Sequence, residues 1–250
     1  MTMKRKSANR IEFRKRLGVS VIILTKNSAK TIEKCLMAVE DERPFEIIAV
    51  DAKSTDGTLR ILRKHGVEVL SEAEGSYGYA RQLGVVAAKS PCVMFVDSDI
   101  ELGSACIATL QRELEAFGWG GIHAMILSSE NTTYWQWAED KLFYLFFNHP
   151  GPKVNIPTAA ALFRRETLLR YPFDPDMKHS AEDIDLCRRL TQNGQIVGVS
   201  RAYAYHYHKR EFPGFAERRF RGGQGITQLA LKYRSIRLLI SSLLAGIGAK

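Results

Sequence analysis

Short apolar runs alternating with helix-periodic stretches predict an α/β fold for this chain, built on a mostly parallel sheet with helices on both faces. Three observations carry that reading. The apolar runs are continuous rather than alternating, as strands covered on both sides require. The stretches between them place apolar residues at helical spacing. A chain of 250 residues with 45% hydrophobic composition is also long enough to bury a sizeable core.

Val19–Leu24 (VSVIIL) is the first strand, and Ser28–Glu40 follows with a helical stripe at Ile32, Cys35, Leu36 and Val39. Phe45–Val50 is the second strand, followed by turn residues Ser54-Thr55-Asp56-Gly57 and a helix through Leu59, Leu62 and Arg63. Val67–Leu70 is the third. Tyr77–Ala88 reads as a helix, Pro91 separates it from the strand Cys92–Val96, and a helix over Ser104–Phe117 follows. The second half is less regular. It predicts a strand at Ile122–Leu127, an aromatic-rich helix at Trp135–Phe147 and a small-residue strand at Thr158–Phe163. A helix at Glu182–Asn193, closed by Gly194, precedes two short strands, Gln195–Ser200 and Ala202–His206. Gly214–Ala249 is basic and amphipathic, then apolar from Leu238. That last run is shorter than the ~20 residues a bilayer crossing takes. It reads either as a cap on the core or as the beginning of a membrane segment. The expected organisation is therefore a basic N-terminal tail (1–17), a catalytic domain (18–210) and an amphipathic, membrane-interfacial C-terminal segment (211–250).

Charge supports that division. The net charge is +9, but residues 1–18 carry +6 and residues 201–250 carry +8, leaving −5 on the stretch between. Positive ends on a mildly acidic centre suit an anionic membrane surface, or are simply solvated tails. A nucleic-acid binder would interleave basic and exposed aromatic residues along one face of the core, so nucleic acid is not an expected partner. Cys35, Cys92, Cys106 and Cys187 have neither disulfide-framework nor zinc spacing and read as reduced packing residues of a cytoplasmic chain. Val19–Leu24 is too short for a signal-peptide core. The sequon Asn131-Thr132-Thr133 carries no weight.

In open α/β sheets ligands gather at the carboxyl ends of strands, which directs attention to the residues after Leu24, Val50 and Val96. After Val96 stands Asp97-Ser98-Asp99-Ile100-Glu101. On an extended segment Asp97, Asp99 and Glu101 would share one face. Clustered carboxylates favour a hard cation, Mg²⁺ or Mn²⁺. After Val50, Asp51 is placed to accept bonds from a base or ribose, while Ser54, Thr55 and Asp56 serve equally well as a helix N-cap. Thr25 and Asn27 can line the same pocket. Arg81 can pair bidentately with a diphosphate, or be a solvated surface group. Glu182-Asp183 opens a helix, where carboxylates complement the dipole. His206 and His208 alternate on a strand and can face one side, towards a metal or diphosphate.

VSVIILTKN, VDAKSTDGT, Tyr79-Ala80-Arg81-Gln82-Leu83-Gly84 and FVDSD together resemble the family 2 glycosyltransferases of the GT-A fold, in order and spacing over about residues 18–210. The resemblance implies a nucleotide-sugar donor with Asp51 near the base, Arg81 near the phosphates, and Asp97 and Asp99 holding a metal. It further implies that Asp183 is the catalytic base of an inverting transfer. Many relatives carry a second acidic residue where Ala52 stands. Glu182, His206, His208 and Arg219 fall on the acceptor or diphosphate side, with Glu101 and His208 as further candidate metal ligands. Glu217-Arg218-Arg219-Phe220 is similar to the Arg-aromatic end of the QxxRW motif of processive, cellulose-synthase-like members. Ala216 replaces its Gln, so processive polymerisation is not supported.

The chain further resembles membrane-associated mannosyltransferases of lipid-linked glycans, which implies transfer of a sugar, in the first instance mannose from GDP-mannose and otherwise from a UDP-sugar, to a hydroxyl of a lipid-linked or other glycan acceptor. A phosphate acceptor is already ionised and needs no base. The expected location is the cytoplasmic face of a membrane. A sugar-phosphate nucleotidyltransferase would open with a Gly-rich loop after the first strand, which Thr25-Lys26-Asn27-Ser28 lacks. Dehydrogenase and NTPase fingerprints are absent. A non-catalytic basic membrane- or nucleic-acid-binding protein is the reading from another class, and Asp97, Asp99 and Asp183 together count against it.

Overall fold

The computed structural model describes residues 16–73, 75–130, 132–237 and 240. The predicted first half forms in order: β1 (Val19–Thr25), α1 (Ile32–Asp41), β2 (Glu46–Asp51), α2 (Thr58–Lys64), β3 (Glu68–Ser71), α3 (Tyr77–Ala87) and β4 (Cys92–Asp97). The second half continues with β5 (Ile100–Leu102), α4 (Cys106–Phe117), β6 (Gly121–Ser128), α5 (Tyr134–Phe147), β7 (Gly151–Lys153) and β8 (Ala160–Arg164). It ends with α6 (Arg165–Arg170), α7 (Glu182–Gln192), β9 (Val197–His206) and α8 (Phe212–Lys232).

The strands join one sheet in the order β3-β2-β1-β4-β8-β6-β9-β5, with β7 also on β9. β3, β2, β1 and β4 are mutually parallel, as are β6 and β9. β8 runs antiparallel between β4 and β6, and β5 and β7 run antiparallel to β9. Continuous burial marks a strand as central but says nothing of its direction, so β8 gave no sign of running against its neighbours. β5 and β7 are three-residue strands, too short for a periodic signal.

Helices cover both faces. On one, Val19, Val21 and Ile23 of β1 meet Ile32, Leu36 and Val39 of α1 and Ile107, Leu110 and Leu114 of α4. On the other, Ile22 packs with Ala80 and Val85 of α3, Leu168 of α6, and Leu186 and Leu190 of α7. The alternation of side chains along β1 thus feeds two cores at once. Gly84 is needed here: a Cβ would lie 2.6 Å from Cγ2 of Ile22.

Most bounds shift by one or two residues, and three places change the reading. Ser28 does not begin α1; its carbonyl accepts from Thr31 and Ile32, turning the chain ahead of the helix. Cys106, rather than Ser104, begins α4. Residues 195–206 do not make two strands: β9 is one ten-residue strand that passes through Arg201, whose side chain is simply exposed. The N-terminal tail through residue 15, Asn131 and most of the apolar run from Leu238 lie outside the described residues. All four cysteines are free and buried.

Candidate active site

The carboxyl ends of β1, β2 and β4 lie side by side, because β1 pairs with both others in parallel. Their loops are stitched together. Thr25 Oγ1 donates to Asp51 Oδ1 at 2.8 Å, and Ser54 donates to Asp51 through both its N–H (2.8 Å) and its hydroxyl (2.6 Å). Asn27 sits at φ 51° and ties the first two loops, its N–H donating to Ser54 Oγ and its Oδ1 accepting from Thr55 N–H. Ser28 and Ser98 share a hydrogen bond at 2.8 Å, joining the first loop to the third. Asp51 is buried and already holds three internal bonds, so its first role here is to shape the loop. Gly57, not Ser54, Thr55 or Asp56, holds the N-cap position of α2, while Asp56 accepts from the N–H groups of Thr58 and Ala29 and so joins the loops.

Asp97 ends β4, and a turn at Ser98–Asp99 then breaks the extended segment. The expected three-carboxylate face does not form. Glu101, on β5, accepts from the Tyr207 hydroxyl at 2.6 Å, which also receives Lys34. Ile100 pairs with His206 across β5 and β9, and that register sets His206 Nε2 3.2 Å from Asp99 Oδ2. Burial opposes ionisation of Asp99, but His206, Arg218 and Lys209 outweigh it and hold its pKa below the ordinary carboxylate range. Asp97 is shifted upward instead, by burial first, with the attraction of Arg81 only partly offsetting it.

His206, not His208, stands at the aspartates. His208 lies behind it, ring centroids 4.2 Å apart, against Phe143 at 5.8 Å. Burial, then the neighbouring positive charge, pushes His208 down to about 3, so it is neutral near pH 7. Its ring nitrogens have no hydrogen-bond partner among the described residues.

Arg81 is not a solvated surface group, and two of its three guanidinium nitrogens are engaged inside the protein. It is buried, with Nε donating to Glu182 Oε1 at 2.8 Å and Nη2 3.5 Å from Asp97 Oδ1. Nη1 has no hydrogen-bond partner among the described residues. Glu182 and Asp97 outweigh the cost of burying Arg81, so its pKa rises. The guanidinium therefore links the end of β4 to the start of α7, 101 residues apart in sequence from Arg81 to Glu182.

Asp183 follows Glu182 and is half-buried. Burial, then the charge of Glu182, pushes its pKa up to about 7, with Asp97 acting in the same direction. Ala181, just before, is held at φ 65°, a conformation that costs a non-glycine residue energy and persists only when its surroundings enforce it. The enforcement is visible. Ser180 Oγ donates to the Arg221 carbonyl of α8, and a Cβ on Gly225 would lie 2.1 Å from that same Oγ.

Arg219 points away from the site. Its Nη2 donates to both oxygens of buried Glu139, at 2.8 Å, and so fastens α8 to α5. Arg218 is the residue that sequence reasoning passed over: its Nη1 lies 3.5 Å from His206 Nε2, with the guanidinium 5.7 Å from the Phe143 ring centroid. Glu217-Arg218-Arg219-Phe220 offers two adjacent arginines, and only the pitch of α8 decides which one faces inward.

No group of three metal-ligating side chains comes together among the described residues. Asp97 and Asp99 nonetheless give two hard carboxylates at one turn, with His206 beside the second. That donor set fits Mg²⁺ or Mn²⁺, which commonly binds through one or two carboxylates and fills its remaining positions with phosphate oxygens and water.

Residues 20–171 match the family model described as glycosyl transferase family 2. The glycosyltransferase AglE of Haloferax volcanii is 27% identical over 231 residues, covering 84% of this chain and 73% of that protein. Matches to uncharacterised mycobacterial glycosyltransferases are 30% identical but reach only 44% of those proteins' length. Among solved structures, Staphylococcus aureus TarS in complex with UDP-GlcNAc superimposes with a TM-score of 0.60 at 20% identity, over 90% of this chain and 71% of that one. GalNAc-T7 with UDP, GalNAc and Mn²⁺ gives 0.64 at 16% identity, over 79% and 45%. These superpositions identify the architecture as the GT-A fold.

Proposed function

This chain belongs to glycosyl transferase family 2, and on that premise we propose that it transfers a sugar, with inversion, from a UDP-linked donor to a hydroxyl of a glycan or lipid-linked acceptor. The observation that supports this reading most is the bridge from Asp97 through Arg81 to Glu182, the residue that precedes Asp183. Asp183 takes the proton from the acceptor hydroxyl as that oxygen forms its bond to the anomeric carbon and the bond to the departing diphosphate breaks. A single displacement from the opposite side inverts the anomeric centre. A carboxylate whose pKa lies near 7 is a stronger base than an ordinary aspartate and is still ionised in an adequate fraction at neutral pH.

Asp97 and Asp99 are the residues that would hold a divalent cation, which when bound neutralises charge on the leaving diphosphate. Arg218 and Lys209 supply positive charge on the same side. Arg81 works through its partners: it positions Glu182 and Asp97. UDP is favoured over the GDP-mannose of the first expectation because TarS and GalNAc-T7 are both described with uridine nucleotides. GDP-mannose is the second reading, favoured only by resemblance to membrane-associated mannosyltransferases.

Calorimetric titration with UDP, GDP, UDP-GlcNAc, UDP-glucose and GDP-mannose, each with Mn²⁺, Mg²⁺ or EDTA, tests the proposal. Binding of a uridine nucleotide that needs metal is the expected result. Binding of GDP alone would replace the donor, and binding of neither would overturn the transferase mechanism for this chain.

A further inference from the structure

The exposed face of α5 leaves four large aromatic or aliphatic side chains uncovered. Tyr134, Trp137, Tyr144 and Leu145 are 64%, 47%, 52% and 62% exposed. Their spacing, with Lys141 between, places all five within about a third of the helix circumference. The opposite face supplies buried Gln136, Glu139 and Phe143 to the body of the protein. The stripe is therefore not a misplaced core face, since the core face of α5 is already occupied.

Its composition narrows the partner. Two tyrosines and a tryptophan bring apolar rings with polar tips, the residue types that settle at headgroup depth in a bilayer. Lys141 Nζ lies 5.7 Å from the Tyr144 ring centroid, so a cation stands within the stripe. Phe212 and Phe220, on α8, are exposed as well, and Trp135 packs on Phe212 and Phe215 to join the two helices. The neighbouring segment from residue 201 onward carries a net charge of +8, with Lys209, Arg234 and Arg237 exposed. Charge complementarity thus favours an anionic lipid surface over a neutral one.

Position relates the stripe to the chemistry. Thr133, the N-cap of α5, donates to the Arg210 carbonyl, and Ser129 N–H donates to the His206 carbonyl. α5 therefore starts at the rim where β9 delivers His206 to Asp99.

We propose that the Tyr134–Trp137–Lys141–Tyr144–Leu145 stripe of α5 docks the protein onto an anionic bilayer surface with the site rim facing the headgroups. The lipid contact thus extends beyond the C-terminal segment to a helix of the α/β body. Docking itself does not rest on the transferase reading; only its use, presenting a lipid-linked acceptor to Asp183, does.

The test uses the full chain with vesicles of phosphatidylcholine alone or mixed with phosphatidylglycerol. Co-sedimentation with the mixed vesicles, weakened by salt, is expected. Brominated lipids should quench tryptophan fluorescence, and Trp137→Phe should remove most of that quenching. Combined Tyr134→Ser, Trp137→Ser, Tyr144→Ser and Leu145→Ser substitution should lower partitioning by at least about tenfold while leaving uridine-nucleotide binding and the melting temperature unchanged. If the combined variant does not fold, the Trp137→Phe quenching result decides alone. Failure to sediment with anionic vesicles, or quenching undiminished in Trp137→Phe, would overturn the proposal. So would a concentration-dependent dimer abolished by the same substitutions, which would assign the stripe to a second copy. Loss of nucleotide binding with docking intact would instead count against the transferase reading.

Discussion

Asp183 combines two properties that pull against each other. Its carboxylate is poorly solvated beside Glu182, so ionising it costs the fold energy, and the same penalty makes it basic. A raised pKa in the folded state favours the protonated form, so this contribution to stability is full at low pH and lost as pH rises towards about 7. Asp183→Asn should therefore melt higher than the parent at pH 8, by about 2–4 °C for about 1 kcal/mol, with the gain vanishing towards pH 4. The same variant should lose about 10²–10⁴ in turnover while binding donor within about twofold. In the parent, kcat/KM should climb with pH and level off above about 7. Glu182→Gln is the companion experiment. It removes the charge that raises Asp183, so the rising limb should move to lower pH, and weakening the Arg81 contact should cost about 1–3 kcal/mol in a denaturant melt. The places of Asp97 and Asp99 at the end of a strand and of Asp183 at the start of a helix were legible in sequence, while the role proposed for Asp183 came from the family resemblance alone. The inward choice of Arg218 over Arg219, and of His206 over His208, was not legible. Both depend on a rotation or register that neighbouring identical residue types cannot reveal.

Elements of the first half were readable because each is long enough to display its period, as β1 and α1 are. β8 shows the limit: Ala160–Arg164 is buried like its neighbours, and antiparallel pairing with β4 arises from the path of the chain. Arg165–Arg170 is a six-residue helix with a single buried residue, Leu168, so it carries no stripe to detect. The loop into α7 depends on contacts the sequence does not announce. Gly78 of α3 would, with a Cβ, place that atom 1.9 Å from the Asp174 carbonyl oxygen, and its N–H donates to Met177. Gly78→Ala must therefore displace the segment leading to Ala181 and Asp183. The expected outcome is a loss of about 1–3 kcal/mol and a fall in kcat larger than any change in donor affinity, separable by comparing steady-state kinetics with calorimetry.

Over the whole molecule, the single sheet with two cores leaves the thiols no exposed place. Cys35, Cys92, Cys106 and Cys187 are buried and unpaired, and burial raises each thiol pKa. Activity should be indifferent to reductant, and a thiol reagent should titrate the cysteines only in denaturant; rapid reaction of the native protein would contradict the packing. α8 has a further consequence. Arg218 touches the donor side at His206, and Lys232, about four turns later, donates to Asp185 on the helix that carries Asp183. Between those anchors stand Gly222 and Gly223, residues that weaken a helix and here have open space where side chains would be. Ser180 grips the helix just beside them, through the Arg221 carbonyl and the close approach of Gly225. One helix therefore spans from His206 on β9 to Asp185 on α7, so a change at either end is felt at the other.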